Sequence, residues 1–295
     1  MNEALVTRTR ETICMESTTG PGWEDLLETL RRERGVILLL GATDSGKSTL
    51  ARFLVAGLTA TGLTVALVDT DVGQSALCLP GTVGVKLFRS SADLADYRCE
   101  QFSFLGSANP ARLVPRLLET TGRLTELARS RAEVVLIDTT GLISGELGRG
   151  LKLAKIRVTL PDQIIALQRR DECEPILGQL DELVIRRIHP HPAARTRSKE
   201  SRSRIRRERL AAYFANATPA EMLLHGDEVE LYRLGERVSL RHEQLAAGTV
   251  IGLNHGDETL GLGLVMEADR EGITFRSPLG SLAGVKRVVF GDVAL

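Results

Sequence analysis

Aromatic residues are scarce in this 295-residue chain: Phe, Tyr and Trp together make 4%, with one tryptophan. An interior built without them must be packed by aliphatic side chains, and an apolar content of 43% is enough for a sizeable core. Long hydrophobic runs are missing too. No stretch approaches the roughly 20 residues of a membrane-spanning helix, and Glu3, Arg8, Arg10 and Glu11 occupy the region where a secretory signal would be apolar. The expected location is therefore cytoplasmic, with no membrane partner. Cysteine is sparse: Cys14, Cys78, Cys99 and Cys173 are scattered, without a C-x-x-C pair, which excludes a zinc ribbon or a disulfide framework and leaves free thiols. There is no internal repeat, and the length suits one large α/β unit with a small appendage.

An excess of either charge is also lacking, since 38 basic residues balance 38 acidic ones. The balance hides a segregation. Ten basic side chains fall between positions 186 and 209 (Arg186, Arg187, Arg195, Arg197, Lys199, Arg202, Arg204, Arg206, Arg207 and Arg209), opposed only by Glu200 and Glu208. A positive segment on an otherwise acidic body points to a polyanionic partner; a solvated helix face is the plainer reading of such a run.

What is present most distinctly is the stretch Val36-Ile-Leu-Leu-Leu-Gly41-Ala42-Thr43-Asp44-Ser45-Gly46-Lys47-Ser48-Thr49. An apolar strand breaking into G-x-x-x-x-G-K-S ahead of a helix is a phosphate loop. Its backbone N–H groups make a nest for phosphate oxygens at the helix N-terminus. Residues Gly41 to Thr49 are thus the nucleotide-binding candidates, with Lys47 reaching the β- and γ-phosphates and the Ser48 hydroxyl a ligand for Mg²⁺.

The remaining pattern fits this start. Apolar runs at 36–40, 64–68, 101–105, 133–137 and 163–168 alternate with helical stretches at 24–34, 48–60, 110–129 and 148–157. This is the rhythm of a phosphate-loop NTPase: α/β, with a mostly parallel sheet covered by helices on both faces. Ser107 or Asn109 is placed to cap the helix that opens at Pro110. Beyond about residue 216 the texture becomes short β-rich pieces (228–233, 250–253, 261–266, 272–276 and 285–290), with turn signals at 254–256 and 269–272, read as a small C-terminal β domain with a packing role. The division expected is an N-terminal extension at 1–22, a phosphate-loop domain at 23–215 with an arginine-rich helical lid at about 189–214, and the β domain at 216–295.

Three carboxylates compete for the metal and nucleophile side of the site. Asp69 and Asp71 lie in Asp-Thr-Asp-Val-Gly-Gln74 after the second apolar run, and Asp138 ends the run Val134 to Ile137. A carboxylate at the carboxyl end of a strand beside the phosphate-loop strand is where Mg²⁺ or the attacking group is held. Spacing alone leaves the assignment open, and one of the three is free to be a turn cap. The sole tryptophan, Trp23, is read as a core anchor in preference to a purine-stacking group. His189 and His191 have no further metal-binding neighbour and are read as a stiff Pro-rich entry to the lid.

Together, residues 41–49, 69–74, Phe-Leu-Gly-Ser-Ala-Asn-Pro at 104–110, Asp-Thr-Thr-Gly at 138–141, and Arg-Ser-Lys199 followed by Arg202, Arg206, Arg209 and Tyr213-Phe214 resemble the polynucleotide 5′-hydroxyl kinases. Eukaryotic members of that family work in pre-mRNA cleavage, tRNA splicing and pre-ribosomal RNA processing. The resemblance runs from about Trp23 to Phe214, with all five motifs in order. It implies transfer of the γ-phosphate of ATP or GTP to the 5′-hydroxyl end of RNA or DNA. It makes Asp71 the group facing that hydroxyl, and Ser48, Asp71 and Asp138 the Mg²⁺ side. Lys47, Arg202 and Arg206 fall on the transferring phosphate; Gln74, Asn109, Arg197, Lys199 and Arg209 fall on the acceptor side. The chain departs from the family where Asp138 stands for a common Asn, where Asn109 stands for a common Thr, and in having few residues before Trp23 where larger relatives carry a base-holding β domain.

The residues themselves support the lid. Arg202, Arg206, Arg209 and Tyr213, spaced by four, three and four, share one helix face, and the first half of that helix has no apolar stripe to bury, which suits a segment that opens and closes. Because an aspartate ordinarily titrates near ~3.9, the acceptor-facing carboxylate is expected to act mainly by positioning. The alternatives are a nucleotide-binding adaptor that turns ATP over slowly within an RNA-processing assembly, and a GTPase that releases free phosphate. RNA against DNA, ATP against GTP, and oligomeric state are left open.

Overall fold

The computed structural model describes residues 19–215 and 221–295; Cys14 and most of the expected N-terminal extension lie outside them. The first sheet is built from β1 (Gly35–Gly41), β2 (Val65–Thr70), β3 (Thr82–Phe88), β4 (Gln101–Phe104), β5 (Val134–Thr139), β6 (Gln163–Leu167) and β7 (Val184–Ile188), in the order β4-β3-β2-β5-β1-β6-β7. The five strands β2, β5, β1, β6 and β7 run parallel; at one edge β3 pairs antiparallel with β2 and β4 antiparallel with β3. The expectation of a mostly parallel sheet holds. Two of its strands, β3 and β7, have no counterpart in the sequence reading.

The central strands are buried on both faces, and alternation along them sends side chains to two layers. Ile37, Leu39, Val65, Leu67, Val134 and Leu136 pack with Trp23, Leu26 and Leu30 of α1 (Trp23–Glu33) and with Leu50, Leu54 and Leu58 of α2 (Lys47–Ala60). Val36, Ala66, Val68, Val135 and Ile137 face Leu117 and Leu124 of α3 (Val114–Arg129) and Leu151 of α4 (Gly145–Thr159). Leu38 and Leu40 meet Ile156 of α4 and Ile176 and Leu177 of the one-turn α5 (Glu174–Leu177). Trp23 is fully buried against Phe53 and edge-on to His191, the core role expected of it. Asn109 caps a 3₁₀ turn at Pro110–Arg112, accepting from Ala111 N, and α3 begins only after it.

Of the segment expected as a lid at 189–214, residues from Lys199 on form a helix, α6 (Lys199–Phe214), whose N-cap Ser198 Oγ accepts from Ser201 N at 3.1 Å. Only Leu210 in it is buried. The C-terminal residues form a second sheet from β8 (Met222–His225), β9 (Glu230–Arg233), β10 (Glu236–Arg237), β11 (Thr249–His255), β12 (Glu258–Ala268), β13 (Gly272–Arg276) and β14 (Arg287–Ala294), ordered β10-β9-β14-β11-β12-β13-β8. Both expected hairpins are present, β11–β12 through Gly256-Asp257 and β12–β13 closed by Asp269 N to Gly272 O at 3.0 Å.

This sheet has its own core, including Ile251, Leu253, Val265, Phe275 and Phe290. It also shares a hydrophobic cluster with the first sheet and the lid: Phe104 and Leu210 pack with Val250, Leu262 and Val289, and Tyr213 and Phe214 border them. Tyr213 Oη accepts from Leu262 N at 3.0 Å, and Phe104 N donates to Thr259 Oγ1 at 2.7 Å. Helix α6 is thus anchored at its C-terminal end and polar at its N-terminal end.

Candidate active site

The phosphate loop joins β1 to α2. Gly46 caps α2 with φ of 97°, a left-handed conformation that suits glycine. At Gly141, after β5, a Cβ would collide with the backbone of Thr43, so the absent side chain lets the β5–α4 loop lie directly on the phosphate loop. Lys47 is buried, its ammonium donating to Gly41 O at 3.0 Å and Ala42 O at 2.8 Å.

The three aspartates have separate surroundings. Asp69, fully buried on β2, accepts from Asp71 N (3.0 Å), Ser75 Oγ (2.8 Å), Ala76 N (2.8 Å) and Leu77 N (2.9 Å). It is the staple of the loop that follows β2, and burial is the main cause raising its pKa above the usual carboxylate range. Asp71 lies one residue beyond the strand; its Oδ1 accepts from Gly73 N and Gln74 N, each at 3.0 Å, and its side chain faces the phosphate loop. Asp138, at the end of β5, takes the Ser48 hydroxyl on Oδ2 at 2.5 Å, while its buried Oδ1 has no hydrogen-bond partner. Burial and then the nearby Asp69 charge push Asp138 up to about 7, against the pull of Lys47.

A cavity of about 380 Å³ gathers Lys47, Ser48 and Thr49 with Asp71, Gln74 and, from the segment leading into the lid, Arg195 and Arg197. Arg202 touches its rim through Asp44: Nη1 donates to Asp44 Oδ2 at 3.3 Å and to Arg197 O at 2.9 Å. Arg209 donates to Ser75 O and to Ala76 O, tying α6 to the loop that Asp69 organises. Arg206 and Asn109 are elsewhere. They line a neighbouring cavity of about 530 Å³ with Ser107, Arg207 and the end of β14. Lys199 is exposed at the first residue of α6. The helical spacing of the arginines holds, but Arg202 reaches the first cavity through Asp44, Arg206 lines the second, and Arg209 binds the loop after β2.

Two residues beneath the site escape a sequence reading. Lys152 and Lys155 of α4 are fully buried, the first donating to Thr139 Oγ1 (2.7 Å) and Thr140 O, the second to Thr70 Oγ1 (2.6 Å) and Thr70 O (3.2 Å). They hold the carboxyl ends of β5 and β2, where the functional loops begin. Burial lowers both pKa values, Lys155 to about 8, with Asp71, Asp69 and Asp138 opposing the shift at Lys155. The available signal was their register, since Gly148, Leu151, Ile156 and Thr159 are the other buried positions of α4.

No group of three or more His, Cys, Asp or Glu side chains among the described residues forms an all-protein metal site. The pairing of the Ser48 hydroxyl with Asp138, one of whose buried oxygens is unpartnered, does fit a hard cation that takes its other ligands from phosphate and water. Among the described residues no helix is long and apolar enough to cross a membrane.

The model of the mRNA cleavage and polyadenylation factor CLP1 P-loop family matches residues 41–216. A polyribonucleotide 5′-hydroxyl-kinase of Methanocaldococcus jannaschii is 37% identical over 186 residues, covering 61% of this chain and 50% of the relative. One from Pyrococcus furiosus is 34% identical over 209 residues (70% and 58%), and the polyribonucleotide 5′-hydroxyl-kinase Clp1 of Xenopus tropicalis is 30% identical over 220 residues (69% and 50%). The chain therefore spans about half the length of the curated relatives it matches. Clp1p solved in complex with Pcf11p superposes with a TM-score of 0.71 at 13% identity, over 92% of this chain and 77% of that one, a likeness of fold. With the family model covering more than half of its residues, the chain belongs to the CLP1 P-loop family.

Proposed function

We propose that this protein is a polynucleotide 5′-hydroxyl kinase, transferring the γ-phosphoryl group of ATP or GTP to the 5′-hydroxyl end of RNA or DNA. The observation that carries the reading is the division of labour among the carboxylates. Asp69 is consumed by four donors, Asp138 is paired with Ser48, and Asp71 alone of the three lines the phosphate-loop cavity beside Lys47.

In this reading the backbone N–H groups of the phosphate loop and the Lys47 ammonium hold the triphosphate. Ser48 and Asp138 would hold Mg²⁺, which supplies charge neutralisation on the β- and γ-phosphate oxygens. Asp71 orients the acceptor hydroxyl for in-line attack and accepts its proton as the new O–P bond forms and the bond to the leaving nucleoside diphosphate breaks. The loop amides on Asp71 Oδ1 fix the carboxylate's direction. Arg202, from the lid, stabilises charge spreading over the transferring oxygens, a role worth about 10³ to 10⁵ in rate where an arginine finger supplies it. Arg206, with Asn109 in the second cavity, serves the acceptor strand, while Arg197 on the phosphate-loop cavity and the exposed Lys199 add positive charge along its approach.

The test is incubation with γ-labelled ATP or GTP and matched 5′-hydroxyl RNA and DNA oligonucleotides. Label in an oligonucleotide is the expected result. Free labelled phosphate with unlabelled oligonucleotides would replace this reading by that of a slow NTPase or nucleotide-gated adaptor.

A further inference from the structure

Asp44 reaches out of the phosphate loop into the lid. Its backbone has φ of 59°, a conformation that costs a non-glycine residue roughly 1 kcal/mol or more and persists where the surroundings enforce it. The surroundings here are cationic. Asp44 Oδ2 accepts from Arg197 N at 2.9 Å and from Arg202 Nη1 at 3.3 Å, and the same nitrogen donates to Arg197 O at 2.9 Å. One carboxylate oxygen thereby closes a ring around the entry to α6. The Asp44 side chain is 11% exposed and that of Arg202 22%, so water screens the pair only in part.

The lid has little else to hold that end. Leu210 is the buried residue of α6, Arg209 ties its middle to the loop after β2, and the Arg204–Glu208 pair is exposed. A carboxylate within the phosphate loop would repel a triphosphate unless a cation accompanied it. Nη1 is the only side-chain nitrogen of Arg202 with a hydrogen bond among the described residues, so Nε and Nη2 have donors to offer phosphate oxygens.

We propose that Asp44 is a positioning residue for phosphoryl transfer, clasping the lid to the phosphate loop so that the Arg202 guanidinium is held at the edge of the phosphate cradle. This rests on the kinase reading given above. Asp44 acts through Arg202, and the two therefore behave as a unit. Removing Arg202 alone leaves an uncompensated carboxylate facing the triphosphate; removing both relieves that repulsion.

The substitution Asp44→Gly tests the clasp, because glycine accepts the φ of 59° without strain and leaves the loop amides in place. The expected result is a fall in kcat of about tenfold or more with KM for the nucleotide changed by less than about threefold, the signature of an interaction made in the transition state. In an Arg202→Ala background, Asp44→Gly should cause no further loss of kcat and should lower the nucleotide KM. Trypsin should cut the lid of Asp44→Gly, between Arg195 and Arg207, about tenfold faster than the parent's, since local opening governs access. Unchanged kcat, losses that multiply in the double variant, or unchanged lid cleavage would each overturn the proposal. A parent protein that transfers no phosphate would overturn the kinase reading itself; the cleavage comparison would then decide the clasp alone.

Discussion

Replacing Lys155 with Met should change the stability of the protein near neutral pH by no more than about 2 kcal/mol while removing a specific pH dependence. The Lys155 ammonium is fully buried and donates to Thr70 O and Thr70 Oγ1. The drop from 10.5 to about 8 means that burying the charged form costs about 3 kcal/mol at pH 7. Two charge-assisted hydrogen bonds return roughly 1.5–3 kcal/mol each, so exchange for an apolar side chain of similar length should change stability by no more than about 2 kcal/mol in either direction. The sign of the pH effect follows from proton counts. Between about pH 8 and 10.5 the unfolded chain keeps the Lys155 proton while the folded one releases it, so this group makes stability rise with pH across that window. Urea unfolding of parent and variant at pH 7.5 and pH 10 reads the difference directly: the parent should gain about 2 kcal/mol relative to Lys155→Met on going to the higher pH. A variant destabilised by more than about 4 kcal/mol at pH 7.5, or a difference from the parent that does not change with pH, would refute the reasoning.

Asp69→Ala should cost about 3–5 kcal/mol in urea unfolding, because it strands the buried donors of Ser75 and Leu77 and the partly buried one of Ala76; a loss under about 1 kcal/mol would contradict the staple role. Asp138, pushed up to about 7, holds in the folded state a proton that the unfolded chain releases near pH 4, so its contribution is complete below about pH 4 and is lost as pH rises through about 7. Asp138→Asn should therefore flatten the decline in stability of the metal-free protein between those limits, by up to about 4 kcal/mol; an unaltered pH profile would count against the assignment.

The phosphate loop, the order of the motifs and the alternation of strand and helix were legible because each is a local pattern: a run of Leu at 36–40, glycines at fixed offsets, a helical spacing of arginines. The expected strand at 133–137 in fact runs Val134–Thr139 and carries Asp138 inside its end. β3 was missed because Gly84 and Lys86 interrupt its apolar run, although Lys86 is itself buried, and β7 because Arg186 and Arg187 sit in an edge strand, where charge is tolerated. Which aspartate does what was illegible for a geometric reason: Asp69 is the last but one residue of a strand and points into the interior, whereas Asp71 lies just past its end. The buried Lys152 and Lys155 look like ordinary helix-surface lysines until the threonines at the strand ends are placed against them. The separation of Arg206 from Arg202 depends on where the second sheet lies, which no local pattern encodes.

The most direct measurement is phosphoryl transfer from γ-labelled ATP or GTP to a 5′-hydroxyl oligonucleotide by the parent and by Asp71→Asn, with nucleotide binding measured in parallel. Labelling by the parent, lost by at least about 100-fold in the variant while nucleotide affinity stays within about threefold, is the result predicted for a carboxylate that acts on the acceptor. Full labelling by Asp71→Asn would contradict the account.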